Sequence, residues 1–418
     1  MKWGRSLSKE KVLILAVKSY DIPTHQFHST IEEMKSLSHT AGGIVKKIVT
    51  QNREHIHPAT YIGEGKVQEV IHAIEDLDID LVIANDELSP SQLRNLNEHF
   101  GVRVIDRSQL ILDIFASRAK TREGQLQVEL AQLEYMLPRL HGMGLVLSRL
   151  GGGIGTRGPG ETKLETDQRH IRRRIDDIKR RLQDVVSQRE QYRKRRQRNR
   201  AFQLALVGYT NAGKSTLFNR LAEETTKEED LLFATLDPLT RKIRLPSGYQ
   251  CLLTDTVGFL QALPTSLIAA FKSTLEEVKE ADFLLHVVDA SHPDRDQHIQ
   301  TVHQILHELE ADHLPILTVY NKKDLLTEEF FPTEHPSIII SARDDQDVDA
   351  LVERIEKELK TSWNYYEIDL APHQGKALHL LSRHTIMIEK SFDPENNNYR
   401  IKGYHPTKFP LETIVKGE

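Results

Sequence analysis

Apolar residues recur along this chain with two periods, and the switches between them mark its parts. Largely apolar runs at residues 12–17, 44–49, 81–84 and 102–105 are separated by helix-like segments. Runs this short read as buried strands, and their alternation with helices predicts a small α/β domain with a largely parallel sheet over residues 1–115. Leu126, Leu130, Leu133, Leu137 and Leu140 then recur at spacings of 4, 3, 4 and 3, and Ile171, Ile175, Ile178, Leu182 and Val185 repeat the rhythm. Each series is the seam of a helix that packs against one partner. Between them stands G-G-G-I-G-T-R-G-P-G from Gly151 to Gly160, which no helix accommodates. Residues 116–200 are therefore expected to fold back as an antiparallel helical hairpin with a glycine-rich tip over 141–163.

From Phe202 the rhythm returns to strand, loop and helix. Apolar runs at 205–207, 252–253, 283–288, 316–319 and 338–340 predict a doubly wound α/β domain over residues 201–363. The remainder, 364–418, carries a helical pattern at 375–384 and strand patterns at 385–389 and 399–402, which predict a small α+β domain. The fold class expected is thus α/β, a phosphate-loop domain flanked by these other parts.

A length of 418 residues agrees with several domains rather than one, and 39% hydrophobic residues give each a real core. The longest apolar runs fall far short of the roughly 20 residues that span a bilayer. The start, M-K-W-G-R-S-L-S-K-E-K, lacks the apolar run of about 7 to 15 residues that a secretion signal needs. A cytoplasmic monomer without a membrane anchor is expected. The single cysteine, Cys251, lies in a strand-like run and reads as a buried small hydrophobe. The nearest histidine pairs, His25 with His28 and His55 with His57, have no companion cysteines and no sustained ligand spacing, so they read as surface or turn residues.

The formal net charge of -5 conceals a polarised distribution. Residues 169–200 hold 14 Lys or Arg against 4 Asp or Glu, an excess of +10, which leaves -15 for the rest. The apolar seam occupies one helix face, so Arg172 to Arg174 and Arg193 to Arg196 are expected on the solvated side. A solvated face is the ordinary reading of such a run, but this excess in an acidic protein favours a phosphate backbone as partner. Arg149, Arg157 and Lys163 punctuate the glycine-rich tip, where backbone without side chains can approach RNA closely.

Four short motifs, each after a strand-like run, carry the chemistry. Gly208, Tyr209, Thr210, Asn211, Ala212, Gly213, Lys214 and Ser215 form a phosphate loop, followed by Thr216 where a helix opens. Backbone amides and the helix N-terminus there bind an anion; Lys214 reaches the β- and γ-phosphates and Ser215 ligates Mg²⁺. D-T-V-G, Asp255 to Gly258, supplies a carboxylate that holds the metal through water and a glycine amide that senses the γ-phosphate. N-K-K-D, comprising Asn321, Lys322, Lys323 and Asp324, selects the base. One carboxylate, Asp324, can accept from both N1–H and N2–H₂ of guanine, whereas adenine offers no such pair of donors. A site built for those bonds discriminates by roughly thousands-fold. S-A-R, comprising Ser341, Ala342 and Arg343, places the Ala342 amide to donate to guanine O6. The cofactors expected are therefore GTP or GDP with Mg²⁺.

Where many GTPases carry a water-orienting glutamine after D-x-x-G, this chain has Phe259. A phenyl ring makes no such hydrogen bond, so intrinsic hydrolysis is expected to be slow and stimulated by a partner. Thr225, Thr226, Thr235 and Thr240 all lie where the first switch must supply a metal-binding threonine, and spacing alone does not choose among them.

The phosphate loop with the T-L-F-N that follows it, F-A-T-L-D-P from Phe233 to Pro238, D-T-V-G-F, and above all G-G-I-G-T-R-G-P-G-E-T-K-L-E-T-D from Gly152 to Asp167 resemble the HflX family of translational GTPases. The likeness covers nearly the whole chain. It implies that Thr235 is the switch-one magnesium ligand, that Phe233 belongs to the nucleotide site, and that a hydrophobic residue at position 259 is normal. Lys214, Thr235 and Gly258 then form the catalytic set. The resemblance also implies binding to the large ribosomal subunit, with the glycine-rich hairpin tip near the peptidyl transferase centre, and dissociation of ribosomes, notably after stress. Some relatives bind or hydrolyse ATP through the N-terminal domain, which allows an ATP site there, and Y-I-G-E-G-K from Tyr61 to Lys66 can be read that way although it is not a phosphate loop by spacing. Competing readings are a signalling GTPase or scaffold that acts on a protein, and an ATP-driven RNA remodeller.

Overall fold

The computed structural model describes residues 10–140, 163–198, 201–222, 238–260, 277–394, 396–407, 409 and 411. They fall into two compact units, one running to Ser187 and the other holding the described residues from Gln188 on.

The first unit is built on four parallel strands, β1 (Lys11–Lys18), β2 (Ile44–Asn52), β3 (Leu81–Ala84) and β4 (Arg103–Asp106), in the order β2-β1-β3-β4. β1 and β3 are central and covered on both faces, which is why their sequences are unbroken apolar runs. Helices α1 (Thr24–Thr40), α2 (Glu64–Leu77), α3 (Pro90–Phe100) and α4 (Arg107–Arg118) connect and follow them. Their ends are written locally: Ser89 and Gln92 form a capping box around Pro90, and Gly101, at φ 67°, closes α3. The run from Tyr61 to Lys66 serves the core. Tyr61 and Ile62 are fully buried, the Tyr61 hydroxyl accepts the Val17 amide and donates to Asp86, and Gly63 caps α2.

Two long helices follow, α5 (Arg122–Arg139) and α6 (Lys163–Arg198). Leu126, Ile175 and Ile178 are buried seam positions. Two residues of the basic flank pair with α5. Arg174 donates through Nε and Nη2 to the two Glu129 carboxylate oxygens at 2.7 and 2.8 Å, and Lys179 pairs with Glu134 at 2.9 Å. Arg174 therefore ties α6 to α5, while Arg172 and Arg173 stay exposed. The Gly151 to Gly160 tip and the side chains of Arg193 to Arg196 lie outside the described residues.

The second unit holds a six-stranded sheet of β5 (Gln203–Val207), β6 (Leu239–Arg244), β7 (Gln250–Asp255), β8 (Phe283–Asp289), β9 (Ile316–Asn321) and β10 (Ser337–Ile339). The order is β10-β9-β8-β5-β7-β6, parallel except for β6, which runs antiparallel to β7. Helices α7 (Lys214–Leu221), α8 (Arg295–Glu308) and α9 (Asp345–Ser362) connect the strands and close the domain. A second, antiparallel sheet has the order β11-β13-β12, from β11 (Asn364–Leu370), β12 (Ile386–Asp393) and β13 (Asn398–His405), with α10 (Gly375–His384) before β12. It has a buried cluster of its own, with Tyr366, Leu370, Leu381 and Ile401, while Ile386 lies in the same buried cluster as Leu204, Leu253 and Leu285. Trp363 joins that cluster edge-on to Phe202 and Tyr249, at 5.1 and 5.3 Å. Cys251 is buried there too, its thiol pushed up to about 12 by burial, which keeps it protonated. Among the described residues no helix is long and apolar enough to cross a membrane.

Candidate guanine-nucleotide site

The carboxyl ends of β5, β7, β9 and β10 each run into one of the four motifs, so parallel strand geometry delivers all of them to one edge of the sheet. Residues 208–213 link β5 to α7 as a loop that requires glycine at its first and last positions. At Gly208 a Cβ would overlap the Val287 carbonyl oxygen; at Gly213, with φ 94°, it would overlap the Asn321 amide. Gly213 is the N-cap of α7, and Thr216 sits half-buried in that helix's first turn. Lys214 is buried, and its Nζ donates to the carbonyls of Gly208 and Tyr209 at 3.0 and 2.7 Å. Burial pulls its pKa down to about 8, opposed in part by the Asp255 charge.

Ser215 Oγ donates to Asp255 Oδ2 at 3.0 Å, so a hydroxyl from the start of α7 and a carboxylate from the end of β7 stand side by side. Two hard oxygen donors next to a phosphate loop are a donor set that fits magnesium. Gly258 follows against the loop, where a Cβ would stand 2.8 Å from Thr210 Cγ2 and 3.0 Å from Thr210 Cα. The Phe259 backbone then pairs with the loop: its N–H donates to Gly208 O at 3.1 Å, and its carbonyl accepts the Thr210 N–H at 2.8 Å. The Phe259 ring is fully buried, so position 259 anchors backbone.

At the opposite end, Asn321 joins two motifs to a third. Its Nδ2 donates to Ala212 O at 2.8 Å, and its Oδ1 accepts the Ala342 N–H at 2.9 Å. That second bond occupies the amide which sequence reasoning assigns to guanine O6, because the nearest acceptor in the protein is the Asn321 side chain. Lys322, in the left-handed region at φ 64°, pairs with Asp289 at 2.7 Å. Asp324 is exposed, and its Oδ1 accepts the Ser341 hydroxyl at 2.7 Å; that hydroxyl also accepts the Arg343 N–H at 3.4 Å. Asp347, absent from the motif reading, props the loop by accepting the Ser341 N–H at 2.8 Å and pairing with Lys323 at 2.9 Å. Its signal in the sequence is only an acidic first turn of α9. Thr240 sits on β6 with its hydroxyl 3.0 Å from that of Thr254. Thr235, Phe233, Thr225 and Thr226 lie outside the described residues.

Three family models cover most of the chain: GTP-binding GTPase N-terminal over residues 28–116, GTP-binding GTPase Middle Region over 118–196, and 50S ribosome-binding GTPase over 203–322. A GTPase HflX from Alkalihalophilus pseudofirmus is 57% identical over 380 residues, spanning 91% of this chain and 90% of its own. This chain belongs to the HflX family of GTPases. A second HflX, from Caldanaerobacter subterraneus subsp. tengcongensis, is 49% identical and spans 92% of this chain and 89% of its own. A solved GTP-binding protein from the hyperthermophilic archaeon Sulfolobus solfataricus, in complex with GDP, aligns over 83% of this chain and 98% of its own, at 23% identity and a TM-score of 0.46.

Two predictions arise from this HflX site. Replacing Asn321 with Ala leaves the Ala212 carbonyl and Ala342 amide without their partner, each a loss of about 1–3 kcal/mol. A clear fall in the melting temperature of the nucleotide-free protein is expected, and an unchanged one would mean that the clip carries no strain-bearing load. The second concerns acid. Burial lowers the His286 pKa to about 3, helped by His303 and Lys214, and burial with His292 lowers that of His298 to about 4. The fold thus prefers both rings neutral. That preference costs nothing above an unfolded pKa near 6.5 and removes stability as the pH falls below it, by about 2 kcal/mol at pH 5 for His286. Melting curves from pH 7.5 to 5 should fall steeply and flatten in His286→Phe.

Proposed function

We propose that this GTPase docks on the large ribosomal subunit in its GTP form, parts joined ribosomes in the cytoplasm under stress, and leaves after hydrolysis to GDP. The observation that carries the nucleotide half is the Asn321 clip, which ties the phosphate loop to the S-A-R loop. The ribosomal half is supported by the match of residues 203–322 to a family described as 50S ribosome-binding GTPases, and by the +10 excess over residues 169–200.

In this mechanism the loop amides and the Lys214 ammonium grip the β- and γ-phosphates. Asp324 accepts the two guanine donors while Ser341 keeps its carboxylate oriented. Ser215 and Asp255, with Thr235 by family likeness, would hold magnesium, which when bound would neutralise charge on the phosphate oxygens. The Gly258 amide reports the γ-phosphate to the second switch. The buried Phe259 ring orients no water, so the ribosome supplies that function or completes it. ATP has no part in this reading, since Tyr61 and Ile62 are core residues and Gly63 only caps a helix.

Sedimentation of joined ribosomes with the protein and a non-hydrolysable GTP analogue tests it. Free subunits with the protein on the large one are expected, whereas ribosomes that stay joined sink the splitting step. Binding should also fall steeply with salt and weaken when Arg172 and Arg173 become Glu. A shallow salt response favours the runner-up reading, a GTPase with a protein partner.

A further inference from the structure

The strand order of the second unit reverses between β5 and β8, and the loop after each strand enters the crevice that opens there. Tyr209 comes from the β5 side; His292 and, in the first turn of α8, His298 come from the β8 side. The Tyr209 and His298 rings lie 3.8 Å apart and only 8° from parallel, a face-to-face stack. The His292 ring stands 4.4 Å from His298, and His292 Nδ1 accepts the Asp294 N–H at 3.1 Å, which fixes that ring in turn. Tyr209 is central to the phosphate loop: its carbonyl accepts the Lys214 ammonium at 2.7 Å, and its neighbours Gly208 and Thr210 carry the bonds to Phe259.

The geometry points to His298 as a positioning residue of the phosphate loop, whose ring holds the Tyr209 peptide and, through that carbonyl, the Lys214 ammonium where the nucleotide's phosphates arrive. The inference rests on the guanine-nucleotide reading of the site. A loop with Gly208, Gly213 and a left-handed Asn211 has much backbone freedom to lose on binding. A stacked ring removes part of that freedom beforehand, and preorganisation of this kind appears as affinity. Burial keeps the imidazole uncharged at neutral pH, so the contact is between two neutral rings. His298 touches no nucleotide atom in this scheme and acts only through Tyr209.

The test compares His298→Ala, His298→Phe and Tyr209→Leu in the full chain, by GTP steady-state kinetics and by release of fluorescent GDP. His298→Ala is expected to raise KM and speed GDP release by about three- to tenfold, the range an aromatic stack spans, with kcat within about twofold because bound nucleotide itself orders the loop, so the lost preorganisation falls on affinity. His298→Phe, which keeps a flat ring, should restore the parent values. Tyr209→Leu removes the same stack from the other side and should match His298→Ala even if the latter folds poorly, and the double variant should be no worse than either single one. Failure of His298→Phe to rescue, or effects of the two singles that multiply in the double, would overturn the inference. If the parent protein itself binds no guanine nucleotide, the reading of the site fails instead.

Discussion

Asp324→Asn is expected to weaken GTP binding by about a thousandfold and to create a preference for xanthosine triphosphate. The carboxylate accepts from both N1–H and N2–H₂ of guanine, whereas asparagine offers one acceptor and one donor. Its donor would face the guanine amino group, two N–H groups pointing at each other. Xanthine carries a carbonyl at that position, and the asparagine amide donates to it. Asp324 is exposed and its bond from the Ser341 hydroxyl can be kept by the asparagine oxygen, so the melting temperature should hardly move. Competition of each triphosphate against fluorescent GDP reads the switch. Equal loss of both nucleotides would mean that the base edge is read elsewhere.

Lys214→Met should separate function from stability. The ammonium is buried, and burial depresses its pKa from 10.5 to about 8, a burden on the order of 3 kcal/mol for the charged form in the nucleotide-free protein. Methionine has similar length and no charge to desolvate, so the nucleotide-free variant should melt no lower than the parent, and above it if the charge outweighs the bonds to the Gly208 and Tyr209 carbonyls. Affinity for GTP should nevertheless fall by about a hundredfold or more, because the phosphates lose a desolvated cation. A drop of several degrees in melting temperature would show that those two carbonyl bonds hold the loop in shape and that the lysine is a structural strut first.

What the sequence made legible follows from burial. The central strands of both parallel sheets are covered on two faces, so they stand out as unbroken apolar runs, and the four motifs could be placed at strand ends from those runs alone. β6 escaped notice because it is an edge strand reading L-T-R-K-I-R, with only Ile243 buried. β11, N-Y-Y-E-I-D-L, does alternate, with Tyr366 and Leu370 buried and Tyr365 exposed, but its period of two is short and follows directly on a helix. The long-range links were invisible. Nothing near Asn321 in sequence announces Ala212, and nothing near Tyr209 announces His298. Arg174 shows the same limit in reverse: its run of three arginines is uniform on paper, yet a glutamate 45 residues away takes one of them out of service.

The placement of Ile386 also bears on how the protein is made. Synthesis delivers domains from the N-terminus onward, and most can settle as they emerge. Here the hydrophobic centre around Leu204, Leu253 and Leu285 waits for a residue near the far end of the chain. A nascent polypeptide that stops short of β12 therefore lacks one member of that buried cluster, so truncated products should be degraded rather than accumulate as shortened, unregulated switches.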